Sequence, residues 1–236
     1  MIISHTHRFI FFSNPKTGSE SIRKLLGPFQ EEEVVPFWEH RDARRFYPHM
    51  TPSEARTAFE GHGLDFGNYF KFACIRNPWT RLVSLYEMDQ ARRGLLSKSR
   101  KVATRGLDRV LKRKGDSHFR KWLTIEERDA GAITDRANDV ERWLIFGRYT
   151  LSEFVKDASG TELVDVVIRL ESLRSELEPV LDQVGLEPEL ASSIPHVNVR
   201  AIQDYSSYYD APSRDWVATR YAEEIDRFGY EFPGHC

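Results

Sequence analysis

Little in this chain offers a staple or an anchor. Only two cysteines occur in 236 residues, Cys74 inside an apolar run and Cys236 at the last position. They make neither a disulfide framework nor a metal-ligand spacing, and Cys74 reads as a small core residue. No apolar stretch approaches the roughly 18 residues of a membrane-spanning helix. The opening MIISHTHRFIFF has no charged segment leading into a long apolar one, so no secretory signal is expected. These absences point to a soluble, cytoplasmic protein with no transmembrane segment. A large charge of one sign is missing too, the net value being -2, but the distribution is uneven. Between Ser97 and Lys121 ten Lys/Arg face two Asp, about +8, so the remainder carries about -10. That stretch offers a basic surface for an anionic partner, or a solvated helix face. No nucleic-acid-binding motif accompanies it, and no nucleic-acid partner is expected. No internal repeat or linker interrupts the chain, and a single domain over residues 1–236 is expected.

What is present alternates between two periods. RFIFFS (Arg8–Ser13), YFKFACI (Tyr69–Ile75) and LVDVVIRL (Leu163–Leu170) are short continuous apolar runs, the pattern of strands buried on both faces. Each is followed by a helical pattern. Ile22, Leu25 and Leu26 precede a Gly27-Pro28 stop. Leu82, Val83, Leu85, Tyr86 and Met88 follow Asn77-Pro78. Leu173, Leu177, Val180, Leu181 and Val184 share one face after the third run. Thr51-Pro52-Ser53-Glu54 is a capping box that opens a further helix ending near Gly61. A last helix is expected over residues 213–228. Strand and helix alternating in this way imply α/β class: a P-loop-like three-layer α/β/α domain with a central parallel sheet. Ligands in such folds sit at the carboxyl ends of the strands.

Two strand–loop–helix corners carry polar residues at those ends. In NPKTGSES, Gly18 permits a tight turn, Lys16 brings a full positive charge, and Thr17, Ser19 and Ser21 bring hydroxyls to the start of a helix, which favours an anion. The Walker spacing G-x-x-x-x-G-K-[ST] is absent, since Lys16 precedes the loop glycine. This weighs against a nucleotide kinase or NTPase. In FKFACIRNPWTRLVSLY, Arg76 stands at a strand end, where its guanidinium can meet a phosphate bidentately.

Together these strings resemble the sulfotransferases that use 3′-phosphoadenosine 5′-phosphosulfate (PAPS), in their carbohydrate (family 2-like) branch with many bacterial members. That family's 5′-phosphosulfate loop runs roughly P-K-T-G-[ST]-T-S. Pro15, Lys16, Thr17, Gly18, Ser19 and Ser21 match it, and Glu20 stands where Thr is usual. The family's 3′-phosphate motif, V-R-[ND]-P running into R-x-x-S-x-Y, is matched by Arg76 and Ser84, with Arg81 expected to be structural. Arg200, in the segment HVNVR, lies where the family covers the nucleotide phosphates, and Arg169 with Glu171 form an expected structural pair. Tyr208, Tyr209 and Tyr221 are expected to pack.

The resemblance implies PAPS as co-substrate, no metal, and transfer of a sulfuryl group to a hydroxyl of a small-molecule or glycan acceptor, a carbohydrate being what this branch of the family implies. Lys16 would neutralise the leaving phosphate. A hydroxyl acceptor needs a base, and imidazole, titrating near 6–7, suits it. His49, 27 positions before Arg76, and His62, in a Gly-His-Gly turn, are the candidates, with Glu20 and Glu60 as further options. The alternative function is a non-catalytic nucleotide- or glycan-binding module of the same fold. The sequence names neither the acceptor nor the oligomeric state.

Overall fold

A computed structural model describes residues 1–36, 45–98, 117–125, 147–195 and 205–232. Their contacts group into two compact units: Met1–Arg76 with Asn138–Val199, and Asn77–Ala137 with Arg200–Cys236.

The first unit is built on a sheet of order β1 (Ile2–Ser4), β2 (Phe9–Phe12), β3 (Phe70–Ile75), β4 (Val166–Arg169). β2, β3 and β4 run parallel, with Phe12 opposite Ala73 and Ile75 opposite Arg169, so all three expected strands end at the same edge. β1 is the addition: it pairs antiparallel with β2, Ile3 opposite Ile10. The turn between them, His5 to Arg8, contains no Gly, Pro, Asn or Asp, and Arg8 itself takes φ 48°. The usual turn chemistry is therefore missing from the sequence. Glu31 supplies a restraint instead. It accepts from the Ser4 hydroxyl at 2.8 Å and from the Thr6 amide and hydroxyl at 2.9 and 2.6 Å, and these bonds hold its carboxyl down to about 2.

Every residue of β2 is buried, which is why its sequence is a run and not an alternation. Phe9 and Phe11 face a core made with Phe72, Cys74 and Ile168 of the neighbouring strands. Ile22 and Leu26 of α1 (Ser19–Leu26) and Leu177, Val180 and Leu181 of α6 (Leu173–Gln183) complete it. Phe12 packs on the other side, against Phe66 at 6.4 Å between ring centroids; Phe66 in turn meets Phe59 of α2 (Pro52–Gly61) at 5.6 Å. The sheet is thus covered by helices on both faces. The Thr51–Glu54 capping box forms as expected, with reciprocal side-chain and backbone bonds. A short α5 (Leu151–Val155) carries a second box on Thr150, and an Arg56–Asp157 ion pair at 3.0 Å joins α2 to the turn after α5.

The second unit is helical: α3 (Pro78–Lys98), α4 (Ser117–Ile125), α7 (Ala211–Arg220) and α8 (Ala222–Phe228). The expected last helix is two, because the chain leaves helical geometry at Tyr221 (φ -112°, ψ 23°). Asp210 and Ser213 form the capping box that opens α7. Asn77 caps α3, its side-chain carbonyl accepting from the Trp79 amide at 3.1 Å. Arg81 is fully buried, ion-paired with Glu224 at 3.1 Å and lying over the Tyr221 ring at 5.2 Å. Its structural role is as expected. So is the packing of the tyrosines: Tyr208, Tyr209 and Tyr221 are all buried. The basic stretch falls largely on residues 99–116, outside the described residues. No helix among the described residues is long and apolar enough to cross a membrane.

Candidate active site

The loop from Ser13 to Gly18 leaves the carboxyl end of β2 and delivers the chain into α1. Two of its residues are left-handed, Lys16 at φ 66° and Gly18 at φ 77°. At Gly18 only glycine serves. A side chain there is strained by φ, and its Cβ would stand 2.3 Å from Leu170 Cδ1, just beyond the end of β4. The Thr17 hydroxyl donates to the Asn14 carbonyl at 2.8 Å and closes the turn from within. Gly18 is also the N-cap of α1, and it offers the helix start no side chain. First-turn amides that no side chain caps are suited to an anion. Ser19 and Ser21 are buried at that start, while Lys16 and Glu20 are half-buried. The Asn14 side-chain amide is fully buried, and neither its nitrogen nor its oxygen finds a hydrogen-bond partner.

Glu20, the departure from the family pattern, stands one helical turn before Arg23. Burial pulls the Arg23 guanidinium below its ordinary value and the Glu20 carboxylate pushes it back up. The carboxylate at the loop is thereby answered by a cation on the same helix face. Sequence reading passed over Arg23; the i, i+3 spacing in SESIRK was the signal available.

His49 is brought to the root of this loop. Its imidazole is 3% exposed, its backbone is left-handed at φ 65°, and Nδ1 lies 2.5 Å from the Ser13 carbonyl. A carbonyl only accepts, so Nδ1 carries the proton and the neutral ring presents Nε2 as its basic nitrogen. Burial, with the nearby Met1 amino group and Arg23, lowers its pKa to about 3 despite the Ser13 bond. This corrects the expected titration near 6–7: the ring is neutral throughout the physiological range. His62 is placed differently, exposed at the end of α2 with its ring stacked on Phe46 at 5.4 Å.

Arg76 follows β3, and its Nη1 donates to the Lys16 carbonyl at 3.4 Å. The two motifs expected to bind anions, 60 residues apart, therefore touch. At the third strand end, Arg169 pairs with Glu176, Nε to Oε1 at 2.5 Å, and its amide donates to Oε2 at 2.6 Å. Glu176 reaches Arg169 because the first turn of α6 brings its carboxylate back over the strand end. Cys74 is buried below the site and burial pushes its thiol up, in keeping with a core role. Ser84 is half-buried on α3 in the second unit. Arg200 lies outside the described residues.

A largely parallel sheet gathers a lysine loop, an uncapped helix start and an arginine at its strand ends, an arrangement suited to anionic groups. The chain belongs to the sulfotransferase family, whose model matches residues 1–231. It is similar to carbohydrate sulfotransferase 10 of Xenopus laevis, with 23% identity over 248 residues that cover 99% of this chain and 68% of the relative. No solved structure matches. Sulfuryl transfer is accordingly the class of its reaction.

Proposed function

We propose that the chain moves the sulfuryl group of PAPS to a hydroxyl of a carbohydrate. The contact between Arg76 and the Lys16 carbonyl carries this reading, because a donor with phosphates at its 5′ and 3′ positions needs two cationic sites within one nucleotide's reach. Family membership supports the donor, and the relative's name supports the acceptor class. The family match also runs through both compact units without a break, which supports reading them as one domain.

The donor supplies an activated sulfur bonded to the oxygen of a 5′-phosphate. Lys16 and the amides at the start of α1 hold that phosphate, with Thr17, Ser19 and Ser21 about it; Arg76 holds the 3′-phosphate, and the family resemblance assigns Ser84 and Arg200 to the nucleotide phosphates as well. The acceptor oxygen bonds to sulfur as the bond from sulfur to the phosphate oxygen breaks in line. The electron pair of the broken bond goes to the phosphate, where Lys16 stabilises the growing charge. The acceptor's proton passes to Nε2 of His49, whose Nδ1–H is anchored on Ser13.

Calorimetry tests the donor. 3′-Phosphoadenosine 5′-phosphate should bind the wild type, and Arg76→Ala should weaken it by about 1.5–3 kcal/mol, the worth of a charge-assisted contact, while leaving adenosine 5′-phosphate nearly unchanged. Equal losses for both nucleotides, or preferential binding of ATP–Mg²⁺, would refute the reading.

A further inference from the structure

The loop carries costs that the fold alone does not reward. Lys16 sits in the left-handed region without being glycine or asparagine. The neighbouring Asn14 amide is buried with both polar atoms unpaired. A backbone in that condition keeps one conformation only where its surroundings over-determine it. Several groups restrain it. Leu170 lies where a side chain at Gly18 would have to go, and the Thr17 hydroxyl closes the turn on the Asn14 carbonyl. From the neighbouring strand end comes Arg76, whose Nη1 reaches the Lys16 carbonyl.

That last contact has a directional consequence. In a trans peptide the C=O and the following N–H point to opposite sides. Fixing the Lys16 carbonyl toward Arg76 therefore fixes the Thr17 amide away from it, and fixes the ψ of the residue that bears the ammonium. A guanidinium has five N–H donors in a rigid fork, so it can hold a carbonyl with one and a phosphate with others. A lysine ammonium at the same place is a single point charge, one bond shorter.

We infer that Arg76 is a positioning residue as well as a binding one: engaged by the donor's 3′-phosphate, it locks the Lys16–Thr17 peptide in its left-handed setting and so couples recognition at the far end of the nucleotide to the stabilisation of the leaving phosphate. This rests on the reading of Arg76 as the 3′-phosphate ligand. Its consequence is that the 3′-phosphate contributes to kcat and not to affinity alone.

The test has two arms. In the first, Arg76→Lys is compared with wild type, alone and in a Lys16→Ala background, by steady-state kinetics with PAPS and by calorimetry with 3′-phosphoadenosine 5′-phosphate. Arg76→Lys keeps a charge for the phosphate and loses the fork. Expected are a loss of nucleotide affinity of less than about tenfold, a fall in kcat of more than about tenfold, and no further fall in kcat when Lys16 is already absent, since effects routed through one group do not multiply. Multiplying kcat losses, or an affinity loss with normal kcat, would overturn the coupling while leaving the donor reading intact. Nucleotide affinity that ignores the 3′-phosphate would instead overturn the donor reading itself. The second arm needs no variant. Wild-type enzyme saturated with adenosine 5′-phosphosulfate, which lacks the 3′-phosphate, should turn over at least about tenfold more slowly than with PAPS. Equal kcat for the two donors would overturn the inference even if Arg76→Lys failed to fold.

Discussion

Gly18 and His49 are the residues whose local geometry says most about the site. Gly18→Ala meets both a backbone penalty, about 1–2 kcal/mol for a left-handed residue, and the Leu170 methyl at 2.3 Å. Gly160 has a similar φ of 83° and nothing within 4 Å of an added Cβ, so Gly160→Ala isolates the backbone part. Denaturant unfolding should show Gly18→Ala to be the more destabilising of the two; equal losses would contradict the close approach of Leu170. His49 makes a prediction in pH. Its folded pKa of about 3 lies below the ordinary imidazole value near 6.5. Between those values the unfolded chain binds a proton that the folded chain refuses, so stability rises with pH across that window and is lost as pH falls through it. Thermal melts from pH 7 down to pH 4 should show His49→Gln less acid-sensitive than wild type. Turnover should fall by about 10²–10⁴ in His49→Ala with nucleotide binding retained, and the wild-type rate should lack a rising limb near pH 6–7. If His62→Ala loses turnover and His49→Ala does not, the proton acceptor is His62. Nothing in HMTPSEAR reveals the burial of His49, because its partner, the Ser13 carbonyl, lies 36 residues away.

At the scale of elements, legibility followed how local each signal was. The three parallel strands were readable because double burial leaves an uninterrupted apolar run, and α2 because Thr51, Pro52 and Glu54 each announce a helix start. β1 was not, because its turn is held by Glu31 from beyond α1 and not by turn-forming residues. The break at Tyr221 was hidden for a similar reason: helix-compatible residues continue on both sides of it. The Arg81–Glu224 pair is a long-range feature of the same kind, linking α3 to α8 with both side chains withdrawn from water. Removing one member strands the other charge, so Arg81→Ala should destabilise by about 3–5 kcal/mol. Arg56→Ala, which breaks the more exposed pair with Asp157, should cost at most about 1 kcal/mol. Chemical denaturation of both variants checks the order, and comparable small losses would show Arg81 not to be a keystone of its unit.

Over the whole molecule, the loop and Arg76 were legible as motifs, and the structure adds that they meet. The sequence could not show that meeting, since it depends on β2 and β3 being neighbours in register, Phe12 opposite Ala73. The central claim is that this meeting place serves a phosphosulfate donor whose leaving group Lys16 stabilises. Transfer of radiolabel from sulfur-labelled PAPS to a panel of carbohydrate acceptors, in wild type and Lys16→Ala, tests it most directly. Wild type should label at least one acceptor and release 3′-phosphoadenosine 5′-phosphate in equal amount. Lys16→Ala should bind the nucleotide with modest loss and fall steeply in kcat, because the ammonium acts on charge that grows in the transition state. A wild-type protein that binds the nucleotide and labels nothing, or a Lys16→Ala variant with undiminished kcat, would contradict the account.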